Sequence, residues 1–94
     1  MFRQTIIRAM IKRNIQGGAT NCKYDKHMVH VTMHGFEQSI EELVSLLRKG
    51  KVLNNWGARP NSIVEMEVLD WRKEQVTTAN VDGFRWNQNC EMYI

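Results

Sequence analysis

The sequence contains few of the residues that interrupt or cross-link a polypeptide. Its 94 residues include one proline, six glycines and two cysteines. Cys22 and Cys90 are too few for the spaced framework of a disulfide-stapled secreted domain. No apolar run approaches the ~18 residues of a membrane-spanning helix, and no apolar stretch follows the basic start as in a signal peptide. We therefore expect a cytoplasmic protein with reduced thiols and no membrane partner.

The remaining composition is typical of one folded domain, residues 1–94, with 43% apolar and 24% charged residues. Lysine and arginine total 13 against 10 acidic residues, so the net charge is +3. The start of the chain is basic, because the first acidic residue, Asp25, comes after Arg3, Arg8, Lys12 and Arg13. This charge favours an anionic partner. The sequence lacks the dense basic stripe of a nucleic-acid-binding protein, so we do not expect nucleic acid as the partner.

Hydrophobic spacing predicts a helix over residues 4–14, whose apolar side is formed by Ile6, Ile7, Met10 and Ile11. Asn14 can adopt the left-handed conformation that ends a helix. We expect Gly17 and Gly18 to turn the chain and a short extended piece to follow at residues 19–21.

Strict alternation predicts a strand over residues 28–34, with Val29, Val31 and Met33 on one face. Ser39 and Glu42 have the spacing of a capping box, which predicts the start of a second helix. We expect that helix to end at Gly50, and its apolar stripe is formed by Ile40, Leu43, Leu46 and Leu47.

After an Asn-rich loop, a second alternating run predicts a strand with Val64, Met66 and Val68 facing inward. Residues 82–86 are predicted to form a last strand, and residues 72–81 are left unassigned. The order helix, strand, strand, helix, strand, strand indicates an α+β fold. More specifically, we expect a ferredoxin-like two-layer α/β sandwich with an antiparallel sheet, two helices on one face and the N-terminal strand missing.

Several short motifs occur in a recognisable order. Met1-Phe2-Arg3 runs directly into the first helix, and Gly17-Gly18-Ala19-Thr20-Asn21 follows it. Further along come His34-Gly35, Gly57-Ala58-Arg59 and Gly83-Phe84. Across nearly its whole length the chain resembles the acylphosphatase family, whose first signature is V-Q-G-V-x-F-R. The distance from Phe2 to Asn21 equals the usual distance in that family.

The resemblance implies hydrolysis of acyl phosphates to a carboxylate and inorganic phosphate, without a metal, a cofactor or a covalent phosphoenzyme. It assigns two catalytic residues. Arg3 would bind the phosphate group, and Asn21 would orient the attacking water. The residue types suit these roles, because arginine offers a permanently charged fork of donors and asparagine adds no repulsive charge. The expected ligands are an acyl phosphate, inorganic phosphate or sulfate.

In that family a first strand and most of the phosphate loop precede the Phe-Arg pair, so we expect Met1 to be an internal position of the family pattern. Without a strand in the middle of the sheet, the fold would lose ~10 kcal/mol or more of stabilisation from hydrogen bonds and apolar burial. We therefore expect the gap to be filled, either by a strand from a second copy in an exchanged homodimer or by residues 89–94.

Two other functions remain open, a catalytically silent interaction module and a ferredoxin-like RNA-binding domain with stacked bases. A further interpretation is a metal site formed by His27, His30, His34 and Cys22. His30 and His34 would stand about 13 Å apart on one strand face, which is too far for one ion, so we expect no metal site.

Overall fold

The computed structural model describes residues 1–65 and 74–94. These residues form two helices, a three-stranded antiparallel sheet and a 3-10 turn. The elements in chain order are α1 (Phe2–Lys12), β1 (Gln16–Asn21), β2 (Val29–His34), α2 (Glu37–Arg48), β3 (Val76–Thr77) and the 3-10 turn (Val81–Gly83). The prediction of a small α+β fold is confirmed at this level.

Helix α1 begins two residues before the predicted start. It buries Ile6, Ile7 and Met10 as predicted, but Ile11, which was expected on the same apolar side, is 42% exposed. Its end is a Schellman motif, in which the Ile15 N–H donates to the Met10 carbonyl and the Asn14 N–H donates to Ile11. Asn14 has a φ of 56°, which confirms its predicted left-handed conformation. Ile15 is buried beside the helix that it closes. The chain therefore reverses immediately after α1 and starts β1 underneath it.

The prediction that Gly17 and Gly18 form a turn is wrong, because both lie inside β1. A Cβ atom on Gly17 would collide with the Thr32 carbonyl oxygen on β2 and would lie 2.9 Å from Cε of Met10. Gly17 also has a φ of +152°, which side chains rarely adopt. A Cβ atom on Gly18 would come within 2.6 Å of Glu74. Glycine at these two positions lets β1 lie close to its neighbours. Because both glycines belong to β1, the strand is longer than predicted.

Strand β1 lies in the middle of the sheet, in the order β2-β1-β3. Ala19 pairs with Val31 on one side and with Val76 on the other, so these residues share the face that α1 covers. The two helices, β1 and β3 all contribute to one core, which contains Ile6, Ile7, Ala9, Met10, Ile15, Ala19, Leu43, Leu47, Leu53, Val76 and Val81.

A gap in the middle of the sheet was expected. Within residues 1–65 and 74–94, β1 is hydrogen-bonded on both sides and β2 on one side. The expectation that residues 89–94 fill such a gap is wrong. Met92 instead forms an isolated bridge with Asn54, and the Tyr93 N–H donates to the Leu53 carbonyl at 2.8 Å. The final segment therefore pairs with the loop after α2.

The predicted strand at residues 28–34 is confirmed as β2, and its inward residues pack against the core. The capping box is wrong, because α2 begins at Glu37 and Ser39 lies within its first turn. Phe36 is the N-cap and provides no side-chain hydrogen bond. At the other end, Gly50 has a φ of +67° and donates to the Leu47 carbonyl, so the predicted glycine stop is confirmed.

Neither of the two later predicted strands is found within the described residues. Val64 was expected to face inward, but it is 79% exposed and outside any strand, while Met66 and Val68 lie outside the described residues. Residues 82–86 do not form a strand. They begin in the 3-10 turn, and the Arg85 carbonyl accepts a hydrogen bond from the Gln4 side chain, so this segment lies against α1. The third strand, β3, comes from the unassigned stretch.

Asn54 is fully buried and joins the loop after α2 to α1. Its Nδ2 donates to Thr5 Oγ1 at 2.9 Å, and its Oδ1 accepts from the N–H groups of Trp56 and Ala58 at 3.0 and 3.2 Å. The Thr5 hydroxyl in turn donates to the Met1 carbonyl at the start of the helix. This network satisfies polar groups that water cannot reach.

Cys22 and Cys90 are both free thiols, and Cys90 is buried. Within residues 1–65 and 74–94, neither helix has the length and apolar character needed to cross a membrane.

Replacing Gly17 by alanine should lower the free energy of unfolding by about 2 kcal/mol or more, because the new methyl group collides with β2 at a strained φ. The matched control is Gly83→Ala, where a Cβ meets nothing within 4 Å, and it should change stability by less than about 0.5 kcal/mol. Urea unfolding of both variants measures the difference. Equal stabilities would contradict the close approach of β1 and β2.

Asn54→Ala should destabilise the fold by about 2–4 kcal/mol, because two backbone donors and the Thr5 hydroxyl lose a buried partner. Asn61→Ala, at an exposed position of the same loop, is the control and should be nearly neutral. The same unfolding experiment applies. A small effect at Asn54 would show that the loop is not held by this network.

Candidate functional site

A cleft of about 350 Å³ lies at the end of the molecule where α1 starts and β1 finishes. Its volume is at the lower end of the range for small-molecule sites. The lining residues come from the start of α1, the end of β1, β3 and the segment after the 3-10 turn: Met1, Phe2, Arg3, Gln4, Asn21, Val76 and Phe84. Arg3 is the one charged side chain among these described lining residues. Both predicted catalytic residues thus border the same cleft.

The lengths of α1 and β1 explain why Arg3 and Asn21 meet. The helix rises about 1.5 Å per residue, so Arg3 lies about 14 Å from Lys12 along the axis. The five steps from Gln16 to Asn21 span about 17 Å of strand. Because the chain reverses at Asn14 and β1 runs back along α1, these similar lengths bring the end of the strand beside the start of the helix.

Arg3 and Asn21 share one hydrogen-bond acceptor, the side-chain oxygen of Gln75. Arg3 Nη1 donates to Gln75 Oε1 at 2.7 Å, and the main-chain N–H of Asn21 donates to the same oxygen at 3.0 Å. Both neighbours are donors, which fixes the carboxamide with its oxygen toward them. Two donors, one of them charged, therefore converge on a single point at the edge of the cleft.

The start of α1 adds to the positive potential at this cleft. The first turn of a helix favours acidic side chains, because the free N–H groups and the helix dipole are positive there. The first turn of α1 has no acidic residue, its N-cap Met1 provides no side-chain hydrogen bond, and it contains Arg3. A cation at this position is unfavourable by itself and becomes favourable when an anion binds.

The side chain of Asn21 is available to a ligand. Residue 21 is exposed, and its carboxamide makes no hydrogen bond within residues 1–65 and 74–94. It shares a sheet face with Ala19, two residues earlier, and this face carries α1. The carboxamide thus offers two donor hydrogens and one acceptor oxygen beside Arg3.

Part of the cleft wall is apolar. Phe2, Val76 and Phe84 contribute to it, and Phe84 is 39% exposed. Gln4 fixes the position of this wall, since its side chain donates to the Arg85 carbonyl. The cleft can therefore bind a charged group at Arg3 and an apolar group against the phenylalanines at the same time.

The structure brings Arg3 and Asn21 together and leaves the other candidates apart. His30 and His34 are exposed on β2, and the described part of the chain holds no group of three or more histidine, cysteine or acidic side chains that could bind a metal. Sequence reasoning missed Gln75, which lies in the unassigned stretch. Phe84 belongs to the Gly83-Phe84 motif of the resemblance, but the sequence predicted it to lie in a strand and gave it no role in the site.

No protein-family model, no curated protein and no solved structure matches this chain. The geometry and charge of the cleft therefore provide the grounds for a function.

Arg3→Ala should weaken the binding of inorganic phosphate by about 10- to 100-fold, because a charged hydrogen bond is lost with the one charged side chain of the described lining. Arg59→Ala removes the same charge from an exposed loop position outside the cleft and should leave the affinity nearly unchanged. Isothermal titration of the full chain with phosphate measures both. Equal losses in the two variants would indicate general electrostatic attraction and no site at Arg3.

Proposed function

We propose that this protein hydrolyses acyl phosphates, as an acylphosphatase does, to give a carboxylate and inorganic phosphate. One observation carries the proposal: Arg3 Nη1 and the Asn21 N–H converge on a single oxygen at the positive end of α1. A phosphoryl group spreads its charge over peripheral oxygens, and such a set of donors suits one of them.

In the proposed reaction, Arg3 binds the peripheral oxygens of the phosphoryl group. The Asn21 carboxamide holds a water opposite the bridging oxygen, so that the attack is in line. A new bond forms between the water oxygen and phosphorus, and the bond from phosphorus to the bridging oxygen breaks. The acyl group leaves as a carboxylate, and the proton released by the water passes to the phosphate product or to solvent.

This reaction demands little chemistry from the protein. A carboxylate is a good leaving group, so positioning and charge stabilisation suffice without a dedicated general base. The apolar wall formed by Phe2, Val76 and Phe84 is where the acyl group would lie. Water is then restricted to the side of the phosphoryl group that faces Asn21.

The finer fold assignment, a ferredoxin-like sandwich, is part of the same proposal. The order of α1, β1, β2, α2 and β3 supports it. The missing N-terminal strand stays a prediction, since β2 is paired on one side only among the described strands.

A catalytically silent interaction module is the second candidate. Its support is the exposure of large side chains away from the cleft, with Tyr24 at 92% and Phe36 at 79%. Single exposed apolar residues are common on monomeric proteins, so this support is weaker than the convergence of donors at the cleft.

Hydrolysis of benzoyl phosphate tests the proposal. Arg3→Ala should lower kcat/KM by about 100-fold or more, because a donor to the developing charge is lost. Asn21→Ala should lower kcat more than it raises KM, because the water loses its orientation while the phosphate group still binds Arg3.

Arg59→Ala and Asn61→Ala are the matched controls, since both residues are exposed and lie outside the cleft. Both should keep full activity. A folded wild-type chain with no turnover would contradict the hydrolase and favour the interaction module.

A further inference from the structure

A side chain of the protein already occupies the point where the two donors converge. Gln75 Oε1 takes hydrogen bonds from Arg3 Nη1 at 2.7 Å and from the Asn21 N–H at 3.0 Å. A phosphate oxygen at this point would need both donors. It cannot reach them while the Gln75 carboxamide stays in place.

We propose that Gln75 is the resident occupant of the anion site, and that its carboxamide must swing out before a phosphate group can enter. This inference rests on the proposed role of Arg3 and Asn21 in binding phosphate. A neutral amide oxygen is a weaker acceptor than an ionised phosphate oxygen, so the incoming anion displaces it. The free protein thus keeps its two donors satisfied, and ligand binding releases Gln75 to solvent.

The backbone around Gln75 is anchored, so the exchange requires only a side-chain rotation. The Gln75 N–H donates to Thr20 Oγ1 at 3.0 Å. The carboxylate of the preceding residue, Glu74, accepts from the hydroxyls of Thr20 at 2.8 Å and Thr32 at 3.1 Å, which ties this segment to β1 and β2. Gln75 itself is exposed, so its side chain has open space to move into.

The competing interpretation is that Gln75 positions Arg3 for the ligand. The two interpretations predict effects of opposite sign. If Gln75 competes with the ligand, the observed affinity is the intrinsic affinity reduced by the fraction of molecules that are open. Removing the side chain then strengthens binding. If Gln75 positions Arg3, removing it weakens binding.

The test is isothermal titration of the full chain with inorganic phosphate and, separately, with sulfate. Gln75→Ala should bind phosphate about three- to tenfold more tightly than wild type, the range expected for one net hydrogen-bonded contact. Sulfate should gain by the same factor, because the side chain must open for either anion. Gln75→Glu should weaken both by about tenfold or more, since a carboxylate holds Arg3 more strongly and repels the ligand.

Gln38→Ala, an exposed glutamine on α2, is the control and should behave as wild type. A second readout is the amide resonance of Asn21 in the free protein, which should shift in Gln75→Ala because its acceptor is gone, and should not shift in the control.

Weaker or unchanged phosphate binding in Gln75→Ala would overturn the competition. So would gains that differ between phosphate and sulfate. Absence of phosphate binding in wild type and in every variant would overturn both the proposed role of Gln75 and the anion site itself. Tighter binding in Gln75→Ala without any benzoyl phosphate turnover would overturn the hydrolase and leave the occupant supported.

Discussion

The packing of α1 along β1 is the constraint on which the rest of the structure depends. Gly17 lets the strand pass under Met10, and Ala9 and Ala19 are both completely buried in the same core. Close packing of small residues keeps the helix and strand side by side over their whole length. The cleft is a product of this packing, because it lies where the two elements end together.

The later part of the chain holds this pair in place from two directions. The Asn54 network fixes the loop after α2 to Thr5, and the final segment pairs with the same loop. On the other side, Gln4 and Arg8 hydrogen-bond to the segment around the 3-10 turn, and the Arg8 guanidinium lies 5.1 Å from the ring centre of Trp86. The first turn of α1, which includes Arg3, is thereby held by contacts distant in sequence.

The sequence predicted what depends on local periodicity and missed what depends on distant partners. Helix α1, β2 and the apolar stripe of α2 were recognisable because each has a long run of one hydrophobic period. The glycine pair in β1 resembles a turn until its neighbours are known. The pairing of Gln75 with Arg3 spans 72 positions and has no local signal. Arg3 and Asn21 were predicted by resemblance, and the geometry adds a physical reason for their proximity.

The alternation of side chains along β1 has a consequence for how this chain can vary. Asn21 shares the face of Ala19, while Thr20 between them faces the other side and bonds Glu74. Inserting or deleting one residue inside β1, between Ala19 and Asn21, would place these two positions on opposite faces. The carboxamide would then leave the cleft, so the spacing between the buried alanine and the asparagine has to be conserved in any descendant that keeps this arrangement.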